Sequence, residues 1–323
     1  MTPREGTGVG IRFGLLVSAF DWSGGSEATA STLVRIARDA EAVGFDSLWV
    51  MDHLIQIPQV GRAWEPMLES YATLAYVAAV TKRIRLGVLV TPITFRHVAH
   101  LAKLIATLDV LSGGRAIVGL GAGSSAAEHA ALGIPFGTAR ERLALLEDTV
   151  RALPILLGPG GRRFEGDVIT VPETALYPRP IQERVPMIVG GAGERITLRI
   201  AAQHADGCNL FGDAEEVRRK VARLHAHCHD VGRDPADLEV SHLGTVLVGA
   251  DPGDVRERIE RLRPADVGPD RFAERVAAGT VDDHAMGFER LADVGVRTAV
   301  VSLPDVATPG SLAPFADLIA RLR

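Results

Sequence analysis

Two adjacent residues, Asp52 and His53, follow an apolar run at residues 47–51 and could take part in proton transfer. An imidazole can donate or accept a proton near neutral pH, and a neighbouring carboxylate can orient it. Adjacent residues of a strand point to opposite sides, so Asp52 could equally face away from His53. We expect this pair to be catalytic. The alternative is that His53 is hydrogen-bonded only to hold its loop.

Two glycine-rich bends could bind a ligand through bare backbone. In residues 115–125 an apolar stretch runs into glycines at positions 119, 121 and 123. In the second bend, residues 190–193 are Gly-Gly-Ala-Gly and precede a predicted helix that begins at Glu194. Backbone N–H groups at the start of a helix attract phosphate, so the second bend is the better candidate for a phosphate site. Either bend could instead only allow a helix to pack closely.

The motifs of several catalytic classes are missing from the sequence. It has no H-E-x-x-H motif, no G-x-S-x-G motif and no lysine at a predicted strand end that could form a Schiff base. No pair of strand-end carboxylates suggests glycosidase chemistry. A phosphate pocket with few acid–base groups is typical of an enzyme whose cofactor supplies the reactivity. We therefore expect an organic cofactor and no metal site.

Eight apolar runs alternate with helical patterns and must position these residues. Such alternation predicts an α/β fold with a parallel sheet, and eight repeats are the number that closes a (β/α)8 TIM barrel. A doubly wound sheet, the rival fold, normally carries its glycine fingerprint after the first strand, where this chain lacks it. The active site is expected at the carboxyl ends of the barrel strands. The predicted strands are residues 12–20, 47–51, 84–90, 116–118, 186–189, 207–211, 238–248 and 298–303.

The length of the chain, 323 residues, fits a single barrel domain (1–323) with insertions. Residues 1–10 are polar and glycine-rich, and we expect them to be disordered. Residues 158–180 interrupt the repeat and predict a hairpin-like insertion. Residues 251–278 are charged, with Arg/Glu pairs at helical spacing, and predict an exposed helical insertion.

Composition restricts the partners and the compartment. The net charge is −5 without a basic block, which argues against nucleic acid, and no apolar run is long enough for a membrane span. Two cysteines without a disulfide framework favour the reducing cytoplasm. Residues 68–79 and 98–111 form helical patterns with apolar faces wider than a monomeric barrel needs, which predicts a homodimer or a higher oligomer.

Four segments carry a resemblance to a known family. They are residues 47–53 (SLWVMDH), 81–97 (TKRIRLGVLVTPITFRH), 106–123 (ATLDVLSGGRAIVGLGAG) and 189–209. The chain resembles the luciferase-like monooxygenase superfamily, in particular its branch of oxidoreductases that use the deazaflavin coenzyme F420. The resemblance is specific for the superfamily but less specific for the cofactor, because enzymes that use flavin mononucleotide (FMN) share the same barrel.

The resemblance also implies which residues contact the cofactor. His53 would lie beside the deazaflavin ring, and the Leu89–Val90 bond falls where related enzymes have a non-prolyl cis peptide that supports one face of the ring. The turn at residues 190–193 would take the phosphate. The implied cofactor-binding residues are Leu89, Val90, Thr91, Ala122, Gly123, Ser124, Gly190, Gly191, Ala192 and Gly193.

Two departures from the family pattern concern the substrate. The sugar-phosphate dehydrogenases of this branch carry a glutamate where this chain has Ser124 and a tryptophan where it has Ile57. We therefore expect this chain not to be a sugar-phosphate dehydrogenase. Other side chains could supply a proton, although the interpretation we favour places them on ordinary helix surfaces. These candidates are Glu65, Glu69, Glu128 and His129.

The expected function is hydride transfer between F420 and a small organic substrate, with reduction of a C=C or C=N bond. In the same fold, the alternative is a two-component monooxygenase that uses reduced FMN and oxygen. Two alternatives of other classes are a non-catalytic barrel that binds a flavin or another ligand, and a lyase or isomerase with a phosphate site.

Overall fold

A computed structural model describes residues 10–191 and 193–323 of the chain. Residues 1–9, which fall in the segment expected to be disordered, lie outside the described residues. The strands within the described residues are β1 (Arg12–Val17), β2 (Ser47–Val50), β3 (Arg85–Val88), β4 (Thr91–Pro92), β5 (Ala116–Gly121), β6 (Arg162–Glu165), β7 (Thr170–Thr174), β8 (Met187–Gly190), β9 (Gly207–Leu210), β10 (Glu239–Thr245), β11 (Leu247–Gly249), β12 (Ala278–Thr280) and β13 (Thr298–Ser302). The helices of the same residues are α1 (Gly25–Val43), α2 (Ser70–Val80), α3 (Val98–Ser112), α4 (Ala126–Leu132), α5 (Ala139–Leu157), α6 (Thr197–His204), α7 (Ala214–Asp230), α8 (Pro252–Leu262), α9 (Pro269–Arg275), α10 (Val281–Asp293) and α11 (Pro314–Leu322).

Eight of the strands in the described residues close into a barrel of parallel neighbours. Their order around the barrel is β1, β2, β3, β5, β8, β9, β10 and β13, and β13 pairs with β1 to complete the circle. Helices cover the outside, so the strands are buried on both faces and their sequences are almost continuously apolar. All residues of β5, for example, are buried. The predicted (β/α)8 TIM barrel is confirmed.

Trp49 of β2 fills a large part of the barrel interior. Its indole N–H donates a hydrogen bond of 2.8 Å to the hydroxyl of Ser47. Glycines on both neighbouring strands make room for the ring: a Cβ at Gly14 would lie 2.8 Å from Nε1 of Trp49, and a Cβ at Gly87 would lie 2.7 Å from Cε3. These glycines are therefore a packing requirement of the barrel interior.

The predicted strand at residues 238–248 is wrong in one respect, because it is two strands. The first, β10, is part of the barrel, whereas β11 leaves it and pairs with β12 in a separate two-stranded parallel sheet. Leu247 is fully buried against Ile259 and Phe272 of helices α8 and α9. Both parts of the run are apolar because each is buried, although they pack against different partners.

The two segments predicted as insertions have regular structure of their own. The antiparallel β6–β7 hairpin lies within residues 158–180. Residues 251–278 hold helices α8 and α9, which are not wholly exposed because Ile259 and Phe272 are buried in a small apolar cluster. In the described parts of the chain, no helix has both the length and the apolar composition needed to cross a bilayer.

Candidate active site

A cavity of about 370 Å³ opens at the carboxyl ends of the barrel strands. It brings together most of the residues that the sequence predicted for the site. The predicted residues that line it are Asp52, His53, Leu89, Val90, Ala122, Gly123, Ser124, Gly190 and Gly191. The rest of its wall consists of Met51, Pro92, Gly121, Thr197, Asn209, Phe211 and Leu243.

A larger cavity, of about 590 Å³, lies at the opposite end of the barrel. Its wall includes the strand starts at Ser47 and Thr298 and an ion pair of 2.6 Å between Arg12 and Glu239. In barrels of this type the chemistry takes place at the carboxyl ends of the strands, and the amino ends serve stability. We therefore take the smaller cavity as the candidate active site.

Val90 projects between two glycines of neighbouring strands. The Leu89–Val90 peptide bond is cis, as the resemblance implied. A Cβ at Gly190 would lie 2.6 Å from Cγ1 of Val90, and a Cβ at Gly121 would lie 2.5 Å from Cγ2. The glycines at the ends of β5 and β8 thus provide the space in which Val90 forms part of the cavity wall.

His53 is hydrogen-bonded to Glu128 of α4, a partner that the sequence did not predict. Its Nδ1 lies 2.8 Å from Oε2 of Glu128. The other carboxylate oxygen, Oε1, accepts the backbone N–H groups of Leu54 at 2.5 Å and Ile55 at 3.1 Å. Glu128 is buried, so the interpretation of this residue as ordinary helix surface is wrong.

Asp52 lines the cavity, but its carboxylate has partners other than His53. Its Oδ2 accepts Arg96 Nη1 at 2.5 Å, and its Oδ1 accepts Arg96 Nη2 at 2.9 Å and the hydroxyl of Ser70 at 2.8 Å. Burial disfavours the charge of Arg96, but the hydrogen bonds and charge of Asp52 outweigh it and hold the pKa of Arg96 above its ordinary value. Glu69, another candidate proton donor, pairs with the same guanidinium at 2.7 Å. The carboxylate of Asp52 therefore bonds to Arg96 and Ser70 instead of orienting His53.

Two predicted cofactor-binding residues, Thr91 and Gly193, are not among the described residues that line the cavity. Thr91 is completely buried, and its hydroxyl lies 2.9 Å from the hydroxyl of Tyr71. Burial raises the pKa of Tyr71, which keeps this hydroxyl neutral. Gly193 is exposed beyond the wall, and Ala192 lies outside the described residues.

The helix that follows the second glycine bend begins three residues later in the chain than predicted. Helix α6 begins at Thr197 instead of Glu194, and Thr197 lines the cavity. Gly191 has a φ of 140°, in the region that favours glycine. A Cβ at this position would lie 3.1 Å from Cγ2 of Thr197. The bend therefore leaves a space between backbone and helix that a larger residue would fill.

Two other residues near the site, His129 and Asn209, have hydrogen-bond partners of their own. His129 was a candidate proton donor, but its Nε2 bonds to Thr94 Oγ1 at 2.7 Å and its Nδ1 to the carbonyl of Ser125 at 2.7 Å. Asn209, at the end of β9, lines the cavity, and its amide donates to Ser241 at 2.9 Å. Asn209 could have been found from the sequence, because it is a polar residue near the end of a predicted strand.

The cavity combines an apolar slot with one group suited to proton transfer. Met51, Leu89 and Leu243 form apolar wall, and glycine backbone forms the edges. Among the described residues that line it, the ionisable side chains are Asp52 and His53, with neither lysine nor arginine. Since Asp52 is held by Arg96, His53 is the group available for acid–base chemistry.

This fold and site define a (β/α)8 barrel with a largely apolar cavity at the carboxyl ends of its strands. The family model described as luciferase-like monooxygenase matches residues 11–313. The chain therefore belongs to the luciferase-like monooxygenase family, as the resemblance implied.

Individual relatives extend over most of the chain. An F420-dependent glucose-6-phosphate dehydrogenase of Amycolatopsis mediterranei (strain U-32) is 33% identical over 300 residues, which cover 88% of this chain and 85% of that protein. The structure of an F420-dependent secondary alcohol dehydrogenase in complex with an F420–acetone adduct is 20% identical, with a TM-score of 0.78, and the match covers 97% of this chain and 99% of the other. An EDTA monooxygenase from Chelativorans sp. BNC1 is 18% identical, with a TM-score of 0.79 and coverages of 97% and 93%. At these identities the two structures are evidence for a common fold.

Proposed function

We propose that the protein is an oxidoreductase that transfers hydride between coenzyme F420 and a small organic substrate, reducing a C=C or C=N bond. The observation that carries this proposal is the cavity, in which glycine-edged strand ends and an apolar wall meet His53. The 33% identical relative is named as an F420-dependent enzyme, which supports the choice of cofactor. When bound, the deazaflavin supplies or accepts the hydride, so the protein has to orient two molecules and move a proton.

The residues of the cavity fit a deazaflavin ring and its phosphate. Leu89 and Val90 would support one face of the ring, and residues 122–124 would lie along its edge. The bend at residues 190–193 would hold the phosphate next to the start of α6, in the space that a Cβ at Gly191 would fill. Thr91 would act from behind the wall, through its hydrogen bond with Tyr71.

His53 would be the proton-transfer residue of this reaction. Its ring lines the cavity, and Nδ1 is bonded to Glu128. During reduction of a double bond, one atom gains the hydride and the other gains a proton from His53. Asp52, which we expected to act together with His53, would contribute by holding the loop through Arg96.

The substrate would not be a sugar phosphate. Ser124 and Ile57 stand where the sugar-phosphate dehydrogenases of this branch carry a glutamate and a tryptophan. These two departures favour a substrate other than glucose 6-phosphate, the substrate in the relative's name.

A cofactor comparison tests the proposal directly. Purified protein is titrated with F420 and, separately, with FMN, and binding is followed by the change in fluorescence of each cofactor. We expect tighter binding of F420, and oxidation of reduced F420 when an activated alkene or an imine is added. Oxygen-dependent turnover with reduced FMN would instead identify a monooxygenase. Tight binding without any turnover would identify a ligand-binding barrel, and turnover without a redox cofactor would identify a lyase or isomerase.

A further inference from the structure

Glu128 and His53 form a pair that is largely removed from water. Oε2 of Glu128 lies 2.8 Å from Nδ1 of His53, with 4% of the Glu128 side chain and 17% of the His53 side chain exposed. Oε1 of Glu128 accepts the N–H groups of Leu54 and Ile55. Both carboxylate oxygens therefore face donors from the loop that follows β2.

This arrangement of donors determines which ring nitrogen of a neutral His53 carries the hydrogen. An ionised carboxylate can only accept hydrogen bonds, so Nδ1 must hold the hydrogen that it donates to Glu128. Nε2 is then the nitrogen with a free electron pair. Among the described residues Nε2 has no hydrogen-bond partner, and the ring lines the cavity. Nε2 is thus the atom that can exchange a proton with a molecule bound there.

Helix α4 holds Glu128 in a fixed position. The hydroxyl of Ser125 accepts the N–H of Glu128 at 3.3 Å and caps the helix. The next residue, His129, is bonded to Thr94 and stacks on Phe95 with 4.7 Å between ring centroids. The carboxylate is therefore anchored from both sides along the helix.

The other charged groups near His53 are engaged elsewhere. Asp52, its neighbour in the chain, is bonded to both terminal nitrogens of Arg96, and Glu69 pairs with the same guanidinium. Within the described residues, Glu128 is the acidic group bonded to the imidazole.

We infer that Glu128 is a positioning residue that holds His53 as the Nδ1–H tautomer, with Nε2 facing the reacting atoms. Its role in catalysis rests on the proposed function, whereas the tautomer is a property of the protein alone. In the reducing direction, the substrate carbon gains a hydride from reduced F420, and the electron pair of the double bond takes the proton from Nε2 of the imidazolium. The neutral Nδ1–H imidazole remains, still bonded to Glu128, and oxidised F420 is the other product.

The Glu128→Gln variant keeps the shape of the side chain and reverses its polarity toward His53. Its amide oxygen can still accept the N–H groups of Leu54 and Ile55, so its NH₂ group faces Nδ1 and donates to it. We expect His53 to change to the Nε2–H tautomer. The change is measured by ¹⁵N NMR of histidine-labelled, cofactor-free protein at mildly alkaline pH. The signals of His53 are assigned by their loss in a His53→Asn variant.

The same variant should lose turnover with F420 by about 100-fold or more. In the Nε2–H tautomer, Nε2 has no free electron pair and cannot take up the proton that it would pass to the substrate. The Kd for F420 and the KM for the substrate should change little, since Glu128 is not among the described residues that line the cavity. Glu27→Gln is the matched control: Glu27 is exposed in the first turn of α1, and this change should affect neither the tautomer nor turnover.

Three results would overturn the inference: an Nε2–H tautomer in the wild-type protein, an unchanged Nδ1–H tautomer in Glu128→Gln, or a changed tautomer with full turnover. The wild-type spectrum decides the assignment even if the variant fails to fold. Absence of turnover with F420 in the wild-type protein would defeat the proposed function, while the NMR comparison would still decide the tautomer.

Discussion

Asp52→Ala should destabilise the protein and leave the proton-transfer group in place. The change removes a bidentate ion pair with Arg96 and the acceptor of the Ser70 hydroxyl. The side chains of Asp52 and Arg96 are only 1% and 10% exposed, so the guanidinium would remain largely buried. Its remaining acidic partner would be Glu69, at 2.7 Å.

The size of the effect follows from this geometry. Removing one partner of a buried ion pair costs about 3–5 kcal/mol, because the other charge is left without compensation. Glu69 continues to pair with Arg96, and its side chain is 44% exposed, so we expect the lower end of that range. A loss of about 3 kcal/mol in the free energy of unfolding corresponds to a decrease of about 4–5 °C in Tm for a chain of 323 residues.

Thermal unfolding followed by circular dichroism measures the change in Tm, and kcat is measured well below the transition. We expect the lower Tm together with a kcat within a few-fold of wild type. Asp39→Ala is a matched control, because Asp39 pairs with Arg35 at 3.4 Å on the surface with 44% and 31% of the two side chains exposed, which predicts less than about 1 kcal/mol. An Asp52→Ala protein with an unchanged Tm and a kcat reduced by about 100-fold would refute the reasoning and make Asp52 a catalytic residue.

Four further predictions can be checked independently. His53→Ala should fold normally and lose turnover by about 100-fold or more, whereas a stable and fully active variant would exclude the proton-transfer role. Gly191→Val should weaken F420 binding by about tenfold or more with little loss of fold, since the valine side chain would occupy the space next to α6. Gly160→Val is the control: Gly160 also has a positive φ, but its surroundings are open, so this change should leave binding unchanged. Burial lowers the pKa of His242, so the unfolded state takes up a proton at a higher pH than the folded state does. The free energy of unfolding should therefore decrease as the pH falls below about 6.5 and become constant below the lowered pKa. Urea unfolding at several pH values measures this dependence, and His242→Gln should reduce it. The mass in solution at micromolar concentration should be that of a dimer or larger, and Leu111→Glu, at an exposed apolar position on α3, should shift it toward the monomer; a monomeric wild-type protein would contradict this expectation.

The barrel could be predicted because its strands are covered on both faces. Burial of this kind produces apolar runs that periodicity detects, as in β5, and the parallel order follows from their alternation with helices. The separation of β10 from β11 could not be predicted in this way. Both segments are apolar, and the sequence does not tell which of two sheets buries them.

The contact between His53 and Glu128 could not be predicted from patterns of neighbouring residues in the sequence. The two residues are 75 positions apart, and their distance depends on how α4 is placed after the bend that follows β5. Glutamate near the start of a helix is most often exposed and favourable there for electrostatic reasons alone. Glycine positions were more informative, since Gly121 and Gly190 occur where Val90 leaves no space for a Cβ.

Asp52 and His53 are neighbours in the chain and both line the cavity, but their side chains have different hydrogen-bond partners. Successive side chains at the end of a strand point to opposite sides. Asp52 bonds to Arg96 and Ser70, near the starts of α3 and α2, whereas His53 bonds to Glu128. An adjacent carboxylate is therefore poorly placed to orient a histidine at a strand end. The partner has to come from another strand–helix unit of the barrel, and here it comes from the first turn of the helix that follows β5.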